Sequence, residues 1–220
     1  MCVNYRPPDR EQLRATGIVL RMEDAWKPET WKDYPAPIIR KSDDGPEAVL
    51  ATYGMVPVRR LPPGVRFDSM NARSESVGEK RTFTNAWAKS HRCLVPMTAF
   101  YEPCYESGKA VRWGVGMADE SMFAVTGLWK EWESDAGPEY SFTQLTINAD
   151  EHPLMKRFHK AGDEKRALVV VPRESWDDWL ECSDPEFARS FLAHYPAELM
   201  ISWAFPVPPR KKIPANENTK

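Results

Sequence analysis

Apolar and polar positions along the chain change period near its middle. Before residue 92 the pattern is broken by prolines, with a short helical stretch at Arg10–Thr16 and a Pro-punctuated segment from Pro28 to Pro37. Ala48–Val56 reads as a strand that Pro57 and the Pro62-Pro63-Gly64 turn bring to an end. Thr84 is placed to cap a helix over Asn85–His91, with Trp87 on its inner face. Beyond that point strands dominate. Arg92–Tyr101, Val111–Met117, Met122–Leu128 and Tyr140–Ile147 are apolar or alternating runs separated by Gly, Asp and Ser turns.

Pro153–Phe158 predicts one or two helical turns, Ala167–Val171 a buried strand, Ser175–Leu180 and Pro185–His194 helices, and Ile201–Val207 a last strand. There is no internal repeat. The pattern predicts an α+β fold: one compact domain over residues 1–207, dominated by antiparallel, barrel-like β-sheet with peripheral helices. A polar tail of residues 208–220 containing Arg210-Lys211-Lys212 follows it.

Composition adds limits. A chain of 220 residues can build one domain with a sizeable core, and its 42% hydrophobic and 28% charged content is that of a soluble globular protein. No apolar run approaches a membrane span, and no signal-peptide core follows the N-terminus. A cytoplasmic, nucleoid-associated location is expected, or a nuclear one in a cell that has a nucleus. Cys2, Cys93, Cys104 and Cys182 form no CxxC pair and no disulfide framework, which suits a reducing compartment. A net charge of −2 argues against coating nucleic acid by bulk electrostatics but leaves room for a local basic groove. Most of the nine Trp are expected in the core, although an indole also suits base stacking.

The candidate chemistry begins at Cys2. Methionine aminopeptidases remove an initiator Met when the following side chain is small, so the mature chain is expected to start at Cys2 with a free α-amine beside a thiol. Such an amine titrates near ~7.7 and a thiol near ~8.5, so both keep a nucleophilic fraction at neutral pH. An aldehyde would form an imine with the amine and then close a five-membered thiazolidine through the sulfur. A cysteine at position 2 without any role is the plain alternative.

Three further segments could assist. Met70-Asn71-Ala72-Arg73-Ser74-Glu75 reads as a loop entering a helix. Asn71 offers a neutral donor and acceptor there, and Arg73 a forked cation; helix capping by Asn71 or Ser74 is the simpler reading. Glu102 closes an apolar strand, where burial would make it a general acid at neutral pH, unless it merely faces water. His159 lies between a short helix and a Gly-containing loop and could shuttle protons; a solvated surface histidine is the alternative. His91 and His194 sit at expected helix ends, and His152 precedes a proline in a turn. A zinc site from His91, Cys93 and Cys104 matches no common ligand spacing, and neither metal nor cofactor is expected.

Taken in order, these residues resemble the SOS-response-associated peptidase (SRAP) family, which includes sensors that shield abasic sites in single-stranded DNA. The resemblance spans roughly residues 1–207. It is carried by Met1-Cys2, Pro35-Ala36-Pro37, Tyr53-Gly54-Met55-Val56-Pro57, Asn71-Ala72-Arg73-Ser74-Glu75 and Arg92-Cys93-Leu94-Val95-Pro96. It continues through Phe100-Tyr101-Glu102, Phe123-Ala124-Val125-Thr126-Gly127-Leu128-Trp129, and His159 ahead of Arg166.

The resemblance implies a β-rich α+β fold, a positively charged DNA groove leading to the N-terminus, and a thiazolidine crosslink between Cys2 and an abasic site. It also implies catalytic roles for Asn71, Glu102 and His159, and a self-cleavage that exposes the cysteine. Arg73 and Arg166 look like phosphate contacts beside the lesion. The expected partner is single-stranded DNA carrying an abasic site, and the expected state is a monomer. An N-terminal-nucleophile thiol peptidase using Cys2, and a noncovalent single-strand binding module, are the competing readings.

This chain departs from the pattern in three places. Val3-Asn4 stands where several relatives carry Gly-Arg, and Val58-Arg59-Arg60 stands where they place aromatic residues. Lys160–Lys165 forms an insertion between His159 and Arg166.

Overall fold

Short β-branched and aromatic runs fold into thirteen strands around which four brief α-helices pack, as described for residues 3–206 in the computed structural model. The strands are β1 (Tyr5–Arg6), β2 (Val19–Leu20), β3 (Pro35–Ser42), β4 (Gly45–Tyr53), β5 (Asn71–Arg73), β6 (Arg92–Met97) and β7 (Ala99–Cys104). They continue with β8 (Val111–Met117), β9 (Phe123–Trp132), β10 (Glu139–Asn148), β11 (Arg166–Leu168), β12 (Val170–Val171) and β13 (Met200–Ala204). The helices are α1 (Arg10–Arg14), α2 (Thr84–Ala88), α3 (Trp176–Glu181) and α4 (Pro185–Ala188). Cys2 and the expected tail lie outside the described residues.

The larger sheet closes on itself. β10 pairs β4 in parallel, then β4–β3, β3–β6, β6–β9 and β9–β10 complete an antiparallel circuit. This is the barrel-like, β-rich α+β architecture expected from the sequence. A second sheet of four strands, β1-β7-β8-β13, packs beside it. The run Arg92–Tyr101 therefore serves both: it bends at Thr98, whose amide donates to the Arg6 carbonyl at 2.9 Å, and passes from the first sheet to the second.

One core cluster, including Tyr53, Phe100, Val115, Phe142 and Phe158, fills the space between the sheets. A second, with Trp87, Trp176 and Trp179, lies under the helices. There the indole N–H groups of Trp176 and Trp179 reach the carbonyls of Val171 and Cys93 at 3.1 and 2.9 Å, which makes their burial affordable.

Several elements differ from expectation for identifiable reasons. Asn71–Arg73 is a strand, β5, pairing in parallel with Gln144–Thr146, and not the entrance to a helix. Thr84 is the first helical residue of α2 and follows an N-cap at Phe83; its hydroxyl donates back to the Lys80 carbonyl at 2.8 Å. The proline-rich segment ends in a full strand, β3, whose prolines Pro35 and Pro37 fall near its start, where the pairing with β6 has not yet begun. Ala167–Val171 divides between β11 on β10 and β12 on β9.

Inside the circuit Gly127 lets β9 approach its neighbours closely. A Cβ there would stand 2.8 Å from the Thr143 carbonyl oxygen, 2.9 Å from Cys93 Sγ and 3.0 Å from Val95 Cγ2. Gly127→Ala is expected to destabilise the fold by about 1–3 kcal/mol, as overpacking of a closed core does. Urea denaturation checks this, and an unchanged midpoint would contradict the tight approach.

Candidate functional site

Alternation along β7 sends Phe100, Glu102 and Cys104 toward the other sheet. Glu102 is 3% exposed. A buried carboxylate needs polar partners, and His159 supplies one: its Nε2 stands 3.1 Å from Glu102 Oε2.

Backbone geometry sets this contact. Phe158 is fully buried and bridges Cys104, and the His159 amide donates to the Pro103 carbonyl at 2.8 Å. His159 itself adopts a left-handed conformation, φ 64°, which turns the imidazole from the buried Phe158 toward Glu102. That conformation costs a non-glycine residue on the order of 1 kcal/mol or more, and it persists because the neighbours on both sides are pinned.

Asn71 opens β5 opposite Gln144. Gln144 Oε1 accepts from the Tyr53 hydroxyl at 2.9 Å; Tyr53 stacks on Phe142 at 5.1 Å and meets Tyr5 edge-on at 5.4 Å. Tyr5 belongs to β1, which pairs with β7 as Tyr5↔Phe100. A buried aromatic and amide relay thus links the strand of Asn71 to the strand that leads back to the N-terminus.

Asn4 is also buried, and its carbonyl accepts from the Tyr101 amide at 3.0 Å, one residue before Glu102. Cys2 lies outside the described residues, separated from Asn4 in sequence by Val3. Cys93, Cys104 and Cys182 are buried and free, and burial pushes the Cys93 thiol well up, which leaves it a poor nucleophile.

The two arginines expected at phosphate occupy different settings. Arg73 is half exposed and pairs with Glu164 at 2.6 Å. Arg166 is 3% exposed, so it stands inside the protein instead of on an open groove. Its guanidinium donates to both carboxylate oxygens of Glu75 at 2.9 Å, to Glu164 at 2.7 Å and to the Thr146 carbonyl at 2.6 Å. In this position it ties the segment after β5 to β10 and β11. The Lys160–Lys165 insertion supplies Glu164, the carboxylate shared by both arginines, and Lys165 Nζ donates to the His159 carbonyl at 3.3 Å.

Arg59 and Arg60 converge on Glu139 at 2.7 and 3.1 Å. Nearby loops leave Trp31, Val58, Val65 and Phe67 exposed, and Lys32 bonds the Phe67 carbonyl at 2.5 Å.

The other histidines are accounted for locally. His91 stacks on Trp129 at 4.5 Å, His152 Nδ1 accepts the Leu154 and Met155 amides, and His194 Nε2 contacts the Asn148 carbonyl. Among the described residues no group of three or more His, Cys, Asp or Glu is arranged to hold a metal ion, and no helix is long and apolar enough to cross a membrane. A cleft of about 810 Å³ lies on the opposite face of the small sheet, lined by Arg6, Trp26 and Trp203 among others, and contains none of Asn71, Glu102 or His159.

The sequence reading missed Tyr53, Gln144, Asn4 and Glu164. Tyr53 stood in a quoted motif, Asn4 and Glu164 lay in segments named only as departures from the family pattern, and Gln144 meets Tyr53 across 91 positions.

Burial raises the Glu75 carboxyl, but the Arg166 bonds outweigh it and hold the group at about 2, below its ordinary 4.5. A lowered folded-state value stabilises above the unfolded value and is lost as pH falls, here between about 4.5 and about 2. The stability difference between the native chain and Glu75→Gln is expected to shrink over that window. Urea midpoints across the window check it, and a pH-independent difference would show that the pair contributes nothing through ionisation.

The SOS response associated peptidase (SRAP) family model matches residues 9–208. The abasic site processing protein YoqW of Bacillus subtilis is 28% identical over 155 residues, covering 69% of this chain and 66% of that protein. YoaM of the same organism, also called an abasic site processing protein, is 27% identical over 155 residues, covering 69% of this chain and 65% of its own length. The match thus spans just under two thirds of these relatives. A crystal structure of a Bordetella bronchiseptica protein superposes with a TM-score of 0.82 at 34% identity, covering 94% of this chain and all of the other. The chain belongs to the SRAP family.

Proposed function

We propose that this protein captures abasic sites in single-stranded DNA by forming a thiazolidine at Cys2 after removal of Met1. The observation that carries the proposal is the buried Glu102–His159 pair, 3.1 Å apart, placed beside the strand that leads directly to the N-terminus. The names of the Bacillus relatives, abasic site processing proteins, support the same substrate.

The steps balance without an oxidant or a cofactor. An abasic sugar opens from its hemiacetal to an aldehyde, with His159 donating to or polarising the ring oxygen. The Cys2 amine adds to the aldehyde carbon. Glu102 relays the two amine protons in turn to the former carbonyl oxygen, the first giving a hydroxyl and the second the water that leaves, and an imine results. The thiol then adds to the imine carbon, its proton passes to nitrogen, and the ring closes. This last step is intramolecular, and well-oriented cases reach effective molarities of about 10⁵–10⁸ M. Asn71 supplies a neutral hydrogen-bonding group to orient the amine.

Arg73 would meet a phosphate by exchanging Glu164 for it, and the exposed Trp31 and Phe67 offer faces on which flanking bases stack. Arg166 would act behind Arg73, by fixing Glu164. Selectivity follows from the missing base, since an intact nucleotide presents no aldehyde.

Incubation with single-stranded DNA bearing one abasic site should give an adduct stable to heat and denaturant. Glu102→Gln should slow its formation by about 10²–10⁴-fold while leaving noncovalent DNA affinity nearly unchanged. A Cys2→Ser protein forming the same heat-stable adduct would defeat the proposal. A thiol-dependent burst on peptide amides, with no DNA adduct, would favour the N-terminal-nucleophile hydrolase instead.

A further inference from the structure

Arg112 lies on β8 opposite Pro103, one pair along from the Glu102–Trp113 pair. Strand alternation turns it to the face of the small sheet opposite Glu102. On that face its Nη2 donates to Asn4 Oδ1 and, at 2.9 Å, to Glu29 Oε2. Asn4 Nδ2 donates to the Thr30 carbonyl at 3.1 Å and approaches the same Glu29 oxygen at 3.4 Å. The guanidinium carbon lies 3.5 Å from the centroid of the Tyr101 ring and 5.2 Å from that of Phe205.

Asn4 is 2% exposed and its two partners are half-buried, so the triangle of Asn4, Glu29 and Arg112 is a partly buried, charge-assisted network. Together with the Tyr101 amide on the Asn4 carbonyl, it fixes residue 4 by both side chain and backbone.

A chain terminus left to itself frays, and a reactive amine on a fraying terminus loses the advantage of proximity. Here one residue, Val3, separates the fixed Asn4 from Cys2. Two residues of chain span at most about 7 Å, so fixing Asn4 restricts the volume that the terminal amine and thiol explore. We propose that Arg112 is a positioning residue, one that clamps Asn4 and Glu29 from behind the sheet and so limits how far the N-terminal nucleophile ranges from β7. This role rests on the abasic-capture reading given above. It assigns Arg112 no contact with DNA: its charge is spent on Glu29 and its face on Tyr101.

The test compares the native chain with Arg112→Ala and Arg112→Lys on single-stranded DNA containing one abasic site. Adduct formation is followed at saturating DNA, noncovalent affinity is measured on the intact strand, and hydrogen exchange is followed at the Tyr101 amide. Arg112→Ala should lower the saturated capture rate by about 10- to 100-fold, leave affinity and its salt dependence unchanged, and speed exchange at Tyr101. Arg112→Lys should recover part of the rate, because a single nitrogen of Arg112 makes both bonds and an ammonium can replace it, while the stacking on Tyr101 is lost.

An unchanged saturated rate in Arg112→Ala would overturn the clamp. So would a loss confined to affinity, with a shallower salt slope, which would make Arg112 a phosphate contact. A failure of the native chain to form any adduct would bring down the capture reading; Tyr101 exchange unchanged in Arg112→Ala would then also exclude Arg112 as the tether of this segment.

Discussion

The pairing of β1 with β7 is the constraint on which the candidate site depends. It covers only Tyr5↔Phe100 and Arg6↔Ala99, extended by the Tyr101 amide on the Asn4 carbonyl. So short a strand would not hold by its backbone bonds alone. Its side chains make up the difference on both faces. Tyr5 inserts between the sheets against Tyr53, and Asn4 is bound by Arg112 and Glu29 behind them. The same β7 carries Glu102 and receives His159 through the Pro103 carbonyl. One strand thus carries the contacts of both the Glu102–His159 pair and the segment Asn4–Arg6.

Charge at the site is compensated locally. Arg73, Arg166, Arg59, Arg60 and Arg112 each have a carboxylate partner, in keeping with an overall charge of −2. The family resemblance implies a basic groove; among these side chains the folded chain shows cations in matched pairs. Exposed pairs of this kind are individually weak, so a phosphate can displace a carboxylate at small cost. At Arg166 that exchange would mean opening a buried cluster, which separates its role from that of Arg73.

Much of the β framework was legible because its signals are local. Val111–Met117 alternates over one strand and forms β8 with those same ends, and the capping box of Asp9 and Gln12 starts α1 where the helical pattern begins. What the sequence hid depends on distant partners. β5 has three residues and exists because β10 pairs with it in parallel, a pairing with no local pattern. The Arg92–Tyr101 run looks like one strand because nothing in its composition marks Thr98 as the crossing between sheets. Glu102 and His159 were each identifiable, but their contact spans 57 positions and relies on the left-handed turn at His159. Arg166 looked like a surface cation because Glu75, which pairs with its charge, lies 91 positions away.

The central claim is that the N-terminal amine and thiol of Cys2, assisted by Glu102 and His159, form the bond to DNA. Proteolysis of the heat-stable adduct followed by mass spectrometry of the N-terminal peptide tests it most directly. The predicted product lacks Met1 and carries the abasic sugar fragment on Cys2 with the loss of one water. An adduct mapped to a lysine such as Lys165 or Lys32, or to a peptide that still retains Met1, would contradict it.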